Sequence, residues 1–65
     1  MLHYVIRNAQ GRFYSWNHNY FFEGLNNATI TLKEEGAVTL AQHARTSYPG
    51  AGVKVSAFWV EFSDV

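Results

Sequence analysis

The 65-residue sequence predicts a small α+β domain, in which an antiparallel sheet carries one helix on one face. Three observations support this prediction: a turn signal between two runs of β-branched and aromatic residues, one stretch with apolar residues at helical spacing, and a long apolar run near the end. We expect an N-terminal β-hairpin, a short third strand, the helix and a long C-terminal strand, in the order ββ(β)αβ. These elements form a single domain over residues 1–65.

The N-terminal segments 2–7 and 12–17 are predicted to form the hairpin. Asn8 and Gly11 stand where a type I turn followed by a glycine bulge needs them. If Asn8 pairs with Arg12, the register places one set of side chains on the core side of the sheet. That set comprises Leu2, Tyr4, Ile6, Tyr14 and Trp16. The opposite side carries His3, Val5, Arg7, Phe13, Ser15 and Asn17.

The middle of the chain combines a polar loop with an aromatic cluster. Residues 18–27 are rich in asparagine and enclose Tyr20, Phe21 and Phe22, a pattern that indicates a loop with an aromatic plug. Residues 28–31 are predicted to form the short third strand, because threonine and isoleucine favour extended backbone.

The helix is expected from Leu32 to about Arg45. Thr31 and Glu34 match a capping box, in which each side chain satisfies the other residue's backbone amide. One stripe of apolar residues at helical spacing is predicted to face the sheet. It consists of Ala37, Leu40, Ala41 and Ala44. Gly36 interrupts this helix at a cost of about 1 kcal/mol relative to alanine.

The last strand is predicted over residues 53–62 and is apolar on both sides. Such a strand usually lies in the middle of a sheet with both faces covered. One helix covers only one face of a small sheet. The sequence therefore predicts a second face that either contacts a partner or is covered by the chain's own aromatic loop.

Composition narrows the class of protein. The chain has no cysteine, so neither a disulfide nor a thiolate metal site can form. Its formal net charge is zero, which argues against a nucleic-acid binder driven by bulk electrostatics. The first residues lack the pattern of a signal peptide, and no apolar run approaches the length of a membrane span. We therefore expect a cytoplasmic protein without a membrane partner.

The titratable residues form no catalytic or metal-binding pattern. His3, His18 and His43 have spacings that match no metal motif, and Glu34 and Glu35 point about 100° apart on a helix. No nucleophile elbow, phosphate loop or dinucleotide fingerprint is present. The sequence predicts no enzyme, no catalytic residue, no metal and no cofactor.

The face of the sheet away from the helix is the predicted contact surface. Aromatic side chains and arginine are typical of binding hot spots, and monomers rarely expose apolar patches of more than a few hundred Å². We expect the partner-binding residues to come from this face and from the aromatic loop. They are Arg7, Phe13, Tyr20, Phe21, Lys54, Phe58 and Val60.

Short motifs follow one another along nearly the whole chain: Tyr4-Val5-Ile6-Arg7-Asn8, Gly11, Phe13-Tyr14, Ala28-Thr29-Ile30, Glu34-Glu35 and a closing valine-rich strand. This order resembles small bacteriophage-encoded accessory proteins of the anti-defence, anti-CRISPR-like type. The chain departs from their charge-rich helix at Gly36, Val38 and Thr39. The resemblance implies a protein that blocks host machinery sterically and needs a surface but no active site.

Four functions follow as hypotheses, one of them a small metalloenzyme that would carry zinc or manganese. The first is a phage-type inhibitor of a host protein complex, such as a CRISPR-Cas or other defence complex, acting in the host cytoplasm. The second is a single-stranded nucleic-acid binder, in which aromatic rings on the open face stack bases beside Arg7 and Lys54. The third is a self-assembling module whose open face is closed by a two-fold dimer.

Overall fold

The computed structural model describes residues 1–59, and within them the predicted α+β class is confirmed. In this part of the chain, four strands form one antiparallel sheet, and one α-helix lies between the third and fourth strands. The elements are β1 (Leu2–Arg7), β2 (Phe13–Ser15), β3 (Tyr20–Phe22), a 3-10 turn (Leu25–Asn27), α1 (Glu34–Ser47) and β4 (Lys54–Trp59).

The strands lie side by side in the order β3-β2-β1-β4. β1 pairs with β4 along its whole length, from Leu2 opposite Trp59 to Arg7 opposite Lys54. Within residues 1–59, β4 is therefore an edge strand, although its apolar character on both sides is typical of a central one. The predicted continuation of this strand over 60–62 lies outside the described residues.

The first hairpin has the predicted turn. The Asn8 amide donates to the Arg12 carbonyl at 3.0 Å, and Arg7 lies opposite Phe13. Gly11 adopts a φ of +79°, the left-handed conformation that a glycine bulge requires. The Asn8 side-chain oxygen accepts from the amides of Gln10 and Arg12, which closes the turn.

Beyond this turn the two strands separate, and the predicted pairing of Tyr4 with Trp16 is wrong. The segment 28–31 enters between them, so that Tyr4 exchanges both backbone hydrogen bonds with Thr31. The Thr29 amide in turn donates to the Tyr14 carbonyl at 3.0 Å. This segment makes a single bridge instead of the predicted third strand, and the third strand is Tyr20–Phe22.

The core lies between α1 and the sheet. The predicted apolar stripe of the helix is confirmed, because all four of its residues are buried. They pack with Ile6, Tyr14 and Phe21 from the sheet. Leu2 and Trp16 were expected in this core but are exposed, Trp16 by 50%. The insertion of 28–31 displaces Trp16 from the sheet, and its ring instead lies 4.2 Å from that of His43 on the helix.

The helix begins two residues later than predicted, and the expected capping box does not form. Lys33 is the N-cap residue, and no side chain caps the helix. Thr31 is held in its bridge with Tyr4, and its hydroxyl donates to the Lys33 carbonyl at 3.3 Å. The bridge to the sheet thus takes Thr31 away from its predicted capping role.

Candidate protein-binding face

The sheet surface opposite α1 is called here the helix-free face. Because directly paired residues share a side, the β1–β4 register assigns its members. Each pair brings one side chain from β1 beside one from β4: His3 with Phe58, Val5 with Ser56 and Arg7 with Lys54. Phe13 and Phe22 extend the same side across β2 and β3. The structure thus brings Arg7, Phe13, Lys54 and Phe58 to one surface.

The centre of this face is a stacked pair of Arg7 and Phe13. The Arg7 guanidinium carbon lies 4.9 Å from the centroid of the Phe13 ring, within the range of a cation–π contact. The same guanidinium donates to the Gly11 carbonyl from Nη2 at 3.1 Å and from Nε at 3.3 Å. The turn therefore orients the arginine before any partner arrives, which lowers the entropy cost of binding.

A shallow apolar cavity of about 220 Å³ opens beside this pair. Val5 forms part of its lining and is only 2% exposed, although it is on the side away from the helix. Leu25 reaches the cavity from the 3-10 turn, which packs against β2, and it remains substantially exposed. Its partial cover makes the apolar patch smaller than the sequence indicates.

One end of the helix-free face is aromatic as well. The Phe58 ring lies 5.7 Å from the imidazole of His3, with the ring planes 30° apart. Both side chains are half-buried, as is Phe13. Phe58 lines the cavity together with Arg7 and Phe13, so aromatic rings from β4 and β2 both contribute to it.

The aromatic segment Tyr20–Phe22 is not the predicted plug, because it pairs with β2 as a strand and extends the sheet. Strand alternation then separates its side chains. Phe21 is only 6% exposed and packs in the core between Tyr14 and Tyr48, at ring distances of 5.3 Å to each. It was expected to contact a partner, and its burial removes it from the candidate face. Tyr20 remains exposed, and Phe22 lies edge-on to it at 5.6 Å.

Val60, the remaining predicted contact residue, lies outside the described residues. Leu25 is the contact candidate that the sequence analysis missed. The only signal for it was one apolar side chain within a polar loop, and only the position of the 3-10 turn over β2 brings it to the cavity.

The charges around the face are few. Lys54 is exposed at the start of β4, whereas Arg12 is 3.6 Å from the Glu23 carboxylate. Both partners of that ion pair are solvent-exposed, so it adds little stability. The Arg7 guanidinium already donates two hydrogen bonds to the Gly11 carbonyl. The face therefore offers an apolar surface with a modest positive rim.

A second cavity, of about 360 Å³, has a polar lining. It lies between the β2–β3 loop and the segment 26–29, and Asn17, His18, Asn26 and Asn27 line it. These four residues are exposed. No side-chain nitrogen or oxygen that is buried within residues 1–59 lacks a hydrogen-bond partner. This cavity has the character of a hydrated loop surface, and we place the candidate site at the smaller, apolar one.

The histidines are distributed over the molecule. His3 contacts Phe58, His18 contacts Phe22 and His43 contacts Trp16. Residues 1–59 contain no group of three histidine, cysteine, aspartate or glutamate side chains that could hold a metal ion. No helix in this part of the chain is long and apolar enough to cross a membrane.

The fold and this face define a class: a small α+β domain with one helix-covered sheet surface and one aromatic, helix-free surface. Comparison with protein-family models, curated proteins and solved structures finds no match. The similarity to small bacteriophage proteins therefore stays a prediction from short sequence motifs.

Proposed function

We propose that this chain is a binding module that contacts another protein through its helix-free face and has no catalytic role. In its specific form, the proposal is a phage-type inhibitor that blocks a host protein complex in the host cytoplasm. The observation that carries it is the oriented Arg7–Phe13 pair beside an apolar cavity. Arginine and aromatic side chains around an apolar pocket are typical of interface hot spots.

The position of β3 supports the proposal. If Tyr20–Phe22 folded over the helix-free face, that face would be part of a second core. It instead pairs with β2 at the edge of the sheet. Among residues 1–59, Leu25 is the one residue outside the strands that lines the cavity, and it is itself substantially exposed.

Preorganisation is the second support. The hydrogen bonds of the Asn8–Arg12 turn hold the backbone on either side of it, which carries Arg7 and Phe13. The side chains of the face are therefore positioned by the sheet and the turn. A partner therefore orders few side chains on binding, and more of the contact energy appears as affinity. Steric blockade, as the similarity to anti-defence proteins implies, requires such a surface and nothing further.

The test is capture of a partner from a bacterial lysate, followed by calorimetry with the identified protein. We expect Phe58→Asp to weaken binding at least about a hundredfold, because it places a charge in the apolar cavity. Val38→Asp is the matched control, since Val38 is an exposed apolar residue on α1. It introduces the same charge away from the face and should leave affinity unchanged.

Circular dichroism of each variant separates binding from folding. If Phe58→Asp unfolds the chain, Arg7→Ala provides the second measurement, because it removes the guanidinium and leaves the apolar lining intact. Unchanged affinity in a folded Phe58→Asp or Arg7→Ala variant would contradict the proposal. Equal losses in Val38→Asp would contradict it too.

A further inference from the structure

The outer edge of β4 presents backbone groups that point away from the sheet. Tyr4 exchanges both of its backbone hydrogen bonds with Thr31, at 2.8 and 2.9 Å. Backbone groups alternate in direction along a strand, so those of Val5 point to the other side, towards its partner Ser56. The same alternation along β4 turns the amides and carbonyls of Val55, Ala57 and Trp59 outwards.

Within residues 1–59, no strand pairs with this edge. Proteins usually protect an edge strand with lysine, proline, a bulge or a covering segment. β4 has six residues in continuous register with β1, and its single lysine is the first residue of the strand. The middle and the end of this edge therefore have none of these protections inside the strand itself.

We propose that β4 pairs with β4 of a second copy of this chain, antiparallel, about a two-fold axis at Ala57. In this register Ala57 lies opposite Ala57 of the second copy, and Val55 lies opposite its Trp59. All three outward-facing residues of β4 are then paired at once. A centre at any other residue of β4 leaves at least one of them without a partner from the same strand.

The side chains suit this register. Trp59 is 64% exposed and lies on the helix side of the sheet, on the same side as Val55 and Ala57. The pairing sets the indole against half-buried Val55 of the second copy. Ala57, at the axis, is small and exposed, so the two strands can approach to the ordinary spacing of about 4.8 Å.

The charges favour antiparallel pairing. Lys54 is the one charged residue of β4, and antiparallel strands centred on Ala57 hold the two lysines roughly 20 Å apart at about 3.4 Å per residue. This exceeds the Debye length of about 8 Å at physiological salt, so their repulsion is screened. A formal net charge of zero adds no general repulsion between copies.

The pairing uses the backbone edge and goes beyond the proposed function. Because paired residues share a side, both α1 helices lie on one surface of the joined sheet. The two helix-free faces then form one continuous surface on the other side. A partner of the helix-free face would meet two copies of the Arg7–Phe13 pair.

Sedimentation equilibrium of the full chain, from about 10 µM to about 1 mM, tests the proposal. We expect a mass that rises from 7.4 kDa towards twice that value. Ala57→Pro removes an outward-facing amide and should weaken dimerisation at least about tenfold, since an edge strand tolerates proline at such a position. Trp59→Ser should weaken it as well, whereas Trp16→Ala, at the other exposed tryptophan, should not.

Amide hydrogen exchange gives a readout that depends on the register. At high concentration the amides of Val55, Ala57 and Trp59 should exchange more slowly than in dilute solution, whereas those of Ser56 and Phe58 should be protected throughout. A wild-type chain that stays monomeric over the whole range would overturn the proposal. Dimerisation that survives in folded Trp59→Ser and is lost in Phe58→Asp would also overturn it, and would assign the contact to the helix-free face.

Discussion

Asn19 joins three parts of the chain through two oxygen atoms. Its φ of +48° places it in the left-handed region, which asparagine tolerates better than most residues. In that conformation its side-chain oxygen accepts from the Tyr14 hydroxyl at 2.6 Å, and its carbonyl accepts from the Tyr48 hydroxyl. The β2–β3 loop is thereby tied to the core and to the end of α1.

Tyr14 makes this network sensitive to alkali. Burial raises the pKa of its hydroxyl above 10.0, and the neighbouring Tyr48 raises it further. The folded state therefore binds the Tyr14 proton more tightly than the unfolded state does. Its contribution to the free energy of unfolding is fully present below pH 10 and is lost as the pH rises through the folded pKa.

We expect urea midpoints to fall above about pH 10, and to fall less steeply in Tyr14→Phe than in the wild type. Tyr20→Phe is the control, because that side chain is exposed at the edge strand β3. The same pH dependence in Tyr14→Phe and the wild type would show that Tyr14 does not contribute to it.

The structure has room for an alanine in place of Gly36 in α1. A Cβ placed there meets Thr31 Cβ at 3.8 Å, an ordinary van der Waals distance, so close packing does not require glycine. Gly11 differs, since its φ is +79° and a Cβ would lie 2.9 Å from Arg7 Nη2. The same substitution should therefore have opposite effects in the helix and in the hairpin turn.

Gly36→Ala should raise the free energy of unfolding by about 1 kcal/mol, the difference in helix propensity. Gly11→Ala should lower it by about 1–2 kcal/mol, the cost of a left-handed non-glycine residue. Urea denaturation of both variants measures the two values. A destabilised Gly36→Ala would mean that α1 packs more closely at this position than the structure indicates.

In the molecule as a whole, the helix covers one surface of the sheet and leaves the helix-free face on the other. Large aromatic side chains, three alanines and Leu40 of the helix close the core on one side, without a disulfide. The other side keeps an apolar cavity that Arg7 helps to line, and Lys54 lies opposite Arg7 in the sheet. Such a distribution suits a protein partner better than a phosphate backbone, which requires many free cations.

We therefore expect single-stranded oligonucleotides to leave the intrinsic fluorescence unchanged, even at low salt. Arg7 is engaged with Gly11, and Arg12 is paired with Glu23, so few cations remain to contact phosphates. Fluorescence titration in about 20 mM salt is the measurement, with lysozyme, a basic protein, as the positive control for electrostatic binding. Quenching that weakens as salt rises would favour the nucleic-acid hypothesis instead.

The predictions that hold depend on neighbours in the chain. The Asn8–Gly11 turn, the apolar stripe of α1 and the alternation of β4 come from residues a few positions apart, and the structure has all three. The candidate face was predicted from the same alternation. Its members Arg7, Phe13, Lys54 and Phe58 do share one side of the sheet.

The errors arise where distant segments compete for the same backbone groups. Thr31 takes the position opposite Tyr4 that was predicted for Trp16, and this pairing removes it from its own predicted capping role, while Tyr20–Phe22 pairs with the other edge of β2. Phe21 lies opposite Tyr14 in that pairing and so enters the core.

By itself, the sequence determined the extended conformation of β1 and β4, the helix α1, and which side chains share a face of each, because those properties depend on local sterics and periodicity. Pairing between remote strands decided the rest. A backbone amide can bond to any extended segment that reaches it, so local pattern cannot rank the candidates. The position of β4 at the sheet edge and the exposure of the helix-free face therefore became visible only in the folded chain.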